Sequence, residues 1–249
     1  MTDTADGPKI GISISNFDDS TLRRVRQLGI TTVHSSGGIP SPNTNFGLEK
    51  HLPWTEKKLG SDLNALNAHG MRMGAKMITG FPQAIYGRPG RDEEIEAVIE
   101  SVKVAALLEI PVIEYNWYVH RATEGYYLVE GRGGSRYRAF DYKKVEGLPP
   151  LPDEGAHTAN EVWDNITYFL EAVIPVASEK GVRFALHPND PPAPISRGSE
   201  QIMGSVAGWK NLVSIVDSTS NGITFDCGVT RELGEDPVDT CLLYTSDAA

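Results

Sequence analysis

Val182-Arg-Phe-Ala-Leu-His-Pro-Asn-Asp-Pro-Pro192 is the stretch from which the rest of the chain can be read. Residues 183–186 have the profile of a short buried strand, and Pro188 stops it just after His187 because proline cannot continue a sheet. Three prolines and an Asn-Asp pair then restrict the loop that follows. An imidazole at the carboxyl end of a strand, ahead of a stiff polar loop, is how a (β/α) barrel presents a metal ligand. The same placement also suits a histidine that only caps loop carbonyls.

Upstream of that strand, Thr158-Ala-Asn-Glu161 spells a capping box. It opens a helix with Val162, Ile166, Phe169, Leu170, Val173 and Ala177 at helical spacing, bent at Pro175 and ended by Lys180-Gly181. Downstream, Ser205 caps a helix carrying Trp209 and Leu212, and Asn221-Gly222 reads as the turn into a strand over 223–225 that ends at Asp226-Cys227-Gly228. Further out, strands are expected over 9–15, 31–35, 73–78 and 112–117. The helices between them carry Leu22, Val25 and Leu28, then span 55–69 and 91–109, with a Gly/Pro/Asn-rich loop to about residue 53 and a Gly/Pro-rich one over 79–90. Residues 118–157 break this rhythm. Tyr126 to Glu130 and Arg136 to Phe140 flank Gly131-Arg-Gly-Gly-Ser135 and predict a β-hairpin, a lid or binding loop inserted after the fourth strand. Gly131-Arg-Gly-Gly134 is not a phosphate loop, since no strand-to-helix junction surrounds it.

Six strands alternating with helices predict an α/β fold, a (β/α)8 TIM barrel in which about six of the eight units are present. Residues 1–240 are read as the N-terminal part of one such domain. Gly234-Glu-Asp-Pro237 opens a further helix. Cys241-Leu-Leu-Tyr-Thr-Ser-Asp-Ala-Ala249 has no amphipathic period and is not expected to continue it. These nine residues spell a reading frame of a common transposase sequencing adapter and are set aside as a non-native tail.

A formal net charge of -10 argues against a general nucleic-acid or anionic-membrane binder. It leaves room for a small anionic substrate, because one metal ion or arginine outweighs the overall field locally. No apolar run approaches the ~20 residues that cross a bilayer, and the polar, acidic start does not resemble an export or organelle address. Two distant cysteines make no disulfide framework. A soluble, cytoplasmic protein is expected.

Val112-Ile-Glu-Tyr-Asn-Trp117 with Arg121, then His187-Pro-Asn-Asp-Pro-Pro192, then Asn221-Gly-Ile-Thr-Phe-Asp-Cys-Gly228 together resemble the mannonate dehydratase family in order and spacing. The resemblance implies a sugar-isomerase-type barrel and a metal-dependent lyase that converts D-mannonate to 2-keto-3-deoxy-D-gluconate in hexuronate breakdown. The divalent ion is most often Mn2+, with Mg2+ or Fe2+ as alternatives. The family's histidine ligand corresponds to His187. Its cysteine ligand corresponds to Asp226 in a gapless alignment, with Cys227 one residue later. Asp226 suits a hard ion and Cys227 a softer one, or Cys227 is a small buried hydrophobe.

On the same resemblance, Arg121 pairs with a substrate carboxylate or else holds the hairpin. Tyr115, Asn116 and Asn189 face substrate hydroxyls or stabilise loops. Asn189 and Asp190 orient His187, or simply form a turn. Glu114 follows barrel-interior parity only together with Asn116. His34 and His120 could approach the mouth, whereas His51, His69 and His157 look like loop or helix-end residues. Arg132, Arg136 and Arg138 either lend positive charge to an anionic ligand or form a solvated face. The acid/base residues are assigned to strands beyond residue 240, so the catalytic residues are unknown and this chain alone is expected to be inactive. Two readings compete with the lyase: a sugar isomerase or epimerase on the same barrel, and a non-catalytic sugar-acid-binding relic. Self-association of a full-length protein is left open.

Overall fold

The computed structural model describes residues 9–35 and 52–246. His51 and most of the loop expected before residue 53 lie outside the described residues. Strand β1 (Gly11–Ile14) leads through a loop to helix α1 (Asp19–Gln27), whose N-terminus is capped by the Asp18 carboxylate accepting from the Thr21 amide at 2.7 Å. Strand β2 (Thr32–Ser35) follows, then α2 (Glu56–Ala68), capped by Thr55, and β3 (Arg72–Met77). The segment after β3, expected as loop, contains a short helix α3 (Pro82–Tyr86). Pro82 sits in its first turn, where its fixed φ favours a helix and its missing N–H is not needed. Next come α4 (Arg91–Leu107) and β4 (Val112–Tyr115).

The insertion forms the expected hairpin, β5 (Tyr126–Glu130) paired antiparallel with β6 (Arg136–Phe140). The capping box is present in full: the Glu161 amide donates to Thr158 Oγ1 at 3.3 Å, and the Thr158 amide donates to Glu161 Oε2 at 2.8 Å. It starts α5 (Ala159–Lys180), which runs through Pro175 as one helix to Gly181. Strand β7 (Arg183–Leu186) occupies the span predicted for it. A small ribbon of β8 (Ile195–Ser196) and β9 (Ser199–Glu200) precedes α6 (Val206–Ile215), β10 (Asn221–Ile223), α7 (Cys227–Glu232) and α8 (Pro237–Ser246).

Three expectations are corrected here. Asn221 is not in a turn but in strand β10, buried, with its side-chain amide donating to the carbonyls of Leu212 at 3.0 Å, Val213 at 3.4 Å and Val216 at 3.3 Å. It thereby satisfies carbonyls that the end of α6 leaves open. The strand stops at Ile223, so Asp226 and Cys227 lie at a helix start rather than on a strand. Helix α8 also continues to Ser246 instead of halting at residue 240. Asp236 caps it, accepting from the amides of Val238 at 2.8 Å and Asp239 at 3.1 Å, and no glycine or proline interrupts it afterwards.

One parallel sheet joins β1, β2, β3, β4, β7 and β10 in that order, with β1 and β10 as its free edges among the described residues. Helices α4 and α5 cover its outer face. Phe169 of α5 stacks on Phe81 (5.3 Å between centroids) and packs at a tilt against Trp117 (4.9 Å), and Tyr115 lies 4.4 Å from Phe184. Each such fully buried ring contributes about 1.5–3 kcal/mol of transfer free energy.

Candidate metal and sugar-acid site

Strand β7 continues its pairing one residue beyond its end. The His187 amide donates to the Tyr115 carbonyl at 2.9 Å, and the Thr224 amide donates to the Leu186 carbonyl at 2.9 Å. His187 is therefore anchored at the carboxyl edge of the sheet. Its Nδ1 lies 2.8 Å from the Pro188 carbonyl oxygen. That oxygen can only accept, so Nδ1 carries the proton and Nε2 is left as the outward-facing nitrogen.

Nε2 points to Asp226, with Oδ2 at 3.5 Å. The Asp226 carboxylate serves two roles: Oδ1 accepts from the Val229 amide at 2.9 Å and caps α7, while Oδ2 faces the imidazole. In its neutral form this imidazole would present its Nε2 lone pair to the carboxylate oxygen, an arrangement that a cation between them would relieve. Nitrogen and oxygen donors of this kind suit a hard divalent ion. Cys227 is the first residue of α7 and is solvent-exposed. Among the described residues no group of three or more His, Cys, Asp or Glu side chains is arranged to hold a metal ion, so His187 and Asp226 are two donors where a metal site generally has three or more.

Behind His187, alternate strands build a polar layer inside the sheet. His34 of β2 reaches over Ala75 of β3 and places Nε2 2.6 Å from Glu114 Oε2 of β4. Ser13 Oγ of β1 lies 3.1 Å from His34 Nδ1. Burial works against the charge of Glu114. The close approach and charge of His34, the charge His187 carries when protonated and the neighbouring Thr224 side chain outweigh that, and hold the carboxyl below its usual range. His34, Glu114, His187 and Thr224 all line one cleft of about 510 Å3. Pairing with His34 was not apparent in the sequence. The available signal was that β2 and β4 are alternate strands, which contribute to the same interior layer of a barrel.

The four expected substrate-binding residues are placed differently. Tyr115 is fully buried in the aromatic core against Phe169 and Phe184, on the helix side of the sheet, and does not face the cleft. The strand ends at Tyr115, and the apolar surface of its ring is better buried there than exposed. Asn189 is also buried: its Oδ1 accepts from the Met203 amide at 2.9 Å, and its own amide donates to the Met203 carbonyl at 3.3 Å. It clasps two loops together. Asn116 is half-buried, with Nδ2 directed at Met77 Sδ at 3.7 Å. Arg121 is fully engaged, its Nε donating to the Asp190 carbonyl at 2.7 Å and Nη2 to Asp190 Oδ2 at 3.1 Å.

Asp190 is thus a hub rather than a support for His187. Tyr126 of the hairpin donates to its Oδ1 at 2.9 Å, and Arg138 approaches Oδ2 at 3.7 Å while stacking over the Tyr126 ring. Burial, opposed by Arg121 and reinforced by Asp190, pushes the Tyr126 hydroxyl up to about 12. Arg121, Tyr126 and Asp190 together dock the hairpin onto the loop that follows His187. Arg132 and Arg136 are exposed nearer the hairpin tip.

His120 belongs to a separate clamp. Its Nδ1 lies 2.6 Å from Glu154 Oε2 and its Nε2 3.1 Å from Glu124 Oε1, which also accepts from Arg197 Nε at 2.6 Å. His69 and His157 hold helix-end and loop carbonyls, at Ala65 and Glu154 respectively. Burial lowers the basicity of His120, but the two glutamates outweigh it and raise its pKa above the ordinary value. A raised folded-state pKa means this stabilisation is complete below the usual imidazole range and is lost as pH rises through the raised value. Amide exchange in residues 118–157, corrected for intrinsic rates, is expected to be faster at about pH 9 than at about pH 6. His120→Gln is expected to remove the difference. Identical protection at both pH values in the parent would show that the clamp does not titrate.

Among the described residues no helix is long and apolar enough to cross a membrane. The fold and this strand-end mouth define an α/β protein of the barrel type found in sugar isomerases and epimerases. D-psicose 3-epimerase superimposes with a TM-score of 0.53 at 11% identity, covering 86% of this chain and 62% of that one. Nearer in shape is the mannonate dehydratase of Streptococcus suis serotype 2, with a TM-score of 0.79, 22% identity and coverage of 94% of this chain and 69% of that one. The family profile for D-mannonate dehydratase matches residues 156–241, a segment that includes both His187 and Asp226. Mannonate dehydratase 2 of Halalkalibacterium halodurans is 27% identical over 199 residues, 70% of this chain and 57% of that protein. The mannonate dehydratase of Enterococcus faecalis is 43% identical over 82 residues, 33% of this chain and 22% of that protein. In sequence over residues 156–241 and in shape over most of its length, the chain is similar to mannonate dehydratases. Its match to the first of these relatives covers little more than half of that protein's length.

Proposed function

We propose that this chain is the greater part of a cytoplasmic, divalent-metal-dependent hydro-lyase acting on D-mannonate and forming 2-keto-3-deoxy-D-gluconate. The observation that carries the reading is the pairing of His187 Nε2 with Asp226 Oδ2 at 3.5 Å, within the segment matched by the family profile. His187 and Asp226 would hold the ion, with Mn2+ first, Mg2+ and Fe2+ as alternatives, and the remaining donors coming from outside the described residues. When bound, the ion stabilises negative charge gathering on the substrate carboxylate as the neighbouring proton is removed. His187 contributes a neutral nitrogen kept in one tautomer by the Pro188 carbonyl. Asp226 contributes an oxygen held in place because its other oxygen is tied to α7. The hairpin is docked beside His187 through Arg121, Tyr126 and Asp190. Cys227, the other candidate ligand, is the less favoured of the two because its side chain is exposed.

The test is keto-acid formation from D-mannonate by the whole protein, with and without Mn2+. Metal-dependent appearance of a 2-keto acid is the expected result, with little or no turnover and weak metal binding by the 249 residues alone. Epimerised sugar acid without keto acid would instead assign the protein to the isomerase-like branch of the fold.

A further inference from the structure

We propose that Glu114, held by His34, is a specificity-determining position that binds hydroxyl groups of the acid sugar's carbon chain. The proposal rests on the sugar-acid reading above and adds to it the residues that read the part of the substrate remote from its carboxylate.

The cleft wall is the first argument. Of the described side chains lining the 510 Å3 cleft, only His34, Glu114, His187 and Thr224 are polar, and the remainder are alanine, valine, isoleucine and methionine. A polyhydroxy acid anchored at His187 and Asp226 would extend over a wall whose other described lining is apolar. Buried hydroxyls without partners cost about 1–3 kcal/mol each, so the polar layer decides which chain is accepted.

The second argument is capacity. An ionised carboxylate offers about four acceptor positions. Glu114 has a 2.6 Å contact with His34 and shares the cleft wall with Thr224. The remaining capacity is open to a donor, and a sugar hydroxyl is such a donor. The carboxylate is almost fully buried, an arrangement that is costly unless its lone pairs are met.

Space and rigidity are the third. In the sheet register His34 stands between Ser13 and Ala75, and Glu114 between Met77 and Ala185. Each polar side chain therefore has an alanine on one side, where a small side chain leaves room for a ligand. Ser13 Oγ on His34 Nδ1 holds the far side of the imidazole at 3.1 Å, so the ring that fixes Glu114 is itself fixed.

The experiment is titration calorimetry on the whole protein with Mn2+ present, using D-mannonate and the three-carbon acid D-glycerate. The parent is expected to bind mannonate more tightly than glycerate. Glu114→Gln is expected to weaken mannonate about 10- to 100-fold, the loss of one or two hydrogen bonds to a charged group, while glycerate changes less than about 3-fold. His34→Gln is expected to give a smaller loss in the same direction. Thermal transitions near that of the parent exclude a folding defect. Equal losses for both acids, retained preference in Glu114→Gln, or a parent showing no preference would each overturn the proposal. A parent that prefers mannonate, loses that preference in Glu114→Gln and yet forms no keto acid would uphold it while refuting the dehydratase reading.

Discussion

Asp226→Ser in the whole protein is expected to weaken Mn2+ binding by roughly 100-fold or more while leaving metal-free stability within about 0.5 kcal/mol of the parent. The two consequences separate because the two oxygens of Asp226 have separate duties. Oδ1 accepts from the Val229 amide and caps α7, a task that serine performs nearly as well. Oδ2 faces His187 Nε2, and a serine hydroxyl is a poor, uncharged replacement there. Asp226→Ala removes both functions and is expected to cost about 1 kcal/mol in addition. Manganese titration followed by magnetic resonance, with thermal unfolding of the metal-free forms, reads both effects. Cys227→Ser is expected to leave Mn2+ affinity unchanged. A large loss there, with Asp226→Ser unaffected, would transfer the ligand to the thiol.

Phe169→Ala is expected to destabilise the protein by about 3–5 kcal/mol, a large share of the roughly 5–15 kcal/mol that holds a typical domain together. Phe169 has no exposed surface and touches four aromatic neighbours, Phe81, Tyr115, Trp117 and Phe184, so several elements lose packing at once. The surrounding rings belong to a strand end, a helix start and two sheet strands, and they cannot all collapse into the space left behind. The adjacent Tyr168 provides the control. It is half-exposed, stacked under Arg91 and donating to Asp92 at 3.0 Å, and Tyr168→Ala is expected to cost less than about 1 kcal/mol. Urea midpoints measure both, and similar shifts for the two variants would refute this account of the core.

The parts of the fold that were legible in the sequence are those with local causes. The capping box at Thr158, the hairpin over residues 126–140 and the strand before His187 follow from signals contained within a few neighbouring residues. The misread parts depend on distant partners. Asn221-Gly222 has turn chemistry, yet Asn221 joins a strand because its amide finds three open carbonyls at the end of α6. For Arg121 the sequence left open a substrate carboxylate or a hold on the hairpin, and it is Asp190, 69 residues away, that offers it a carbonyl and a carboxylate at hydrogen-bond distance. Tyr115 was expected at the mouth, but burying its ring against Phe184 and Phe169 satisfies the hydrophobic effect more fully.

By itself, the sequence determined the alternation of strands and helices, the hairpin inserted after the fourth strand, and the histidine at a strand's carboxyl end. Each of these is encoded by period, cap or turn residue over a short span. Only the tertiary structure decided that Asp226 would turn one oxygen toward His187 and that His34 would meet Glu114 inside the sheet. Those contacts depend on register between strands and on where helices begin, and charged groups brought together in that way interact strongly only once water has been excluded between them.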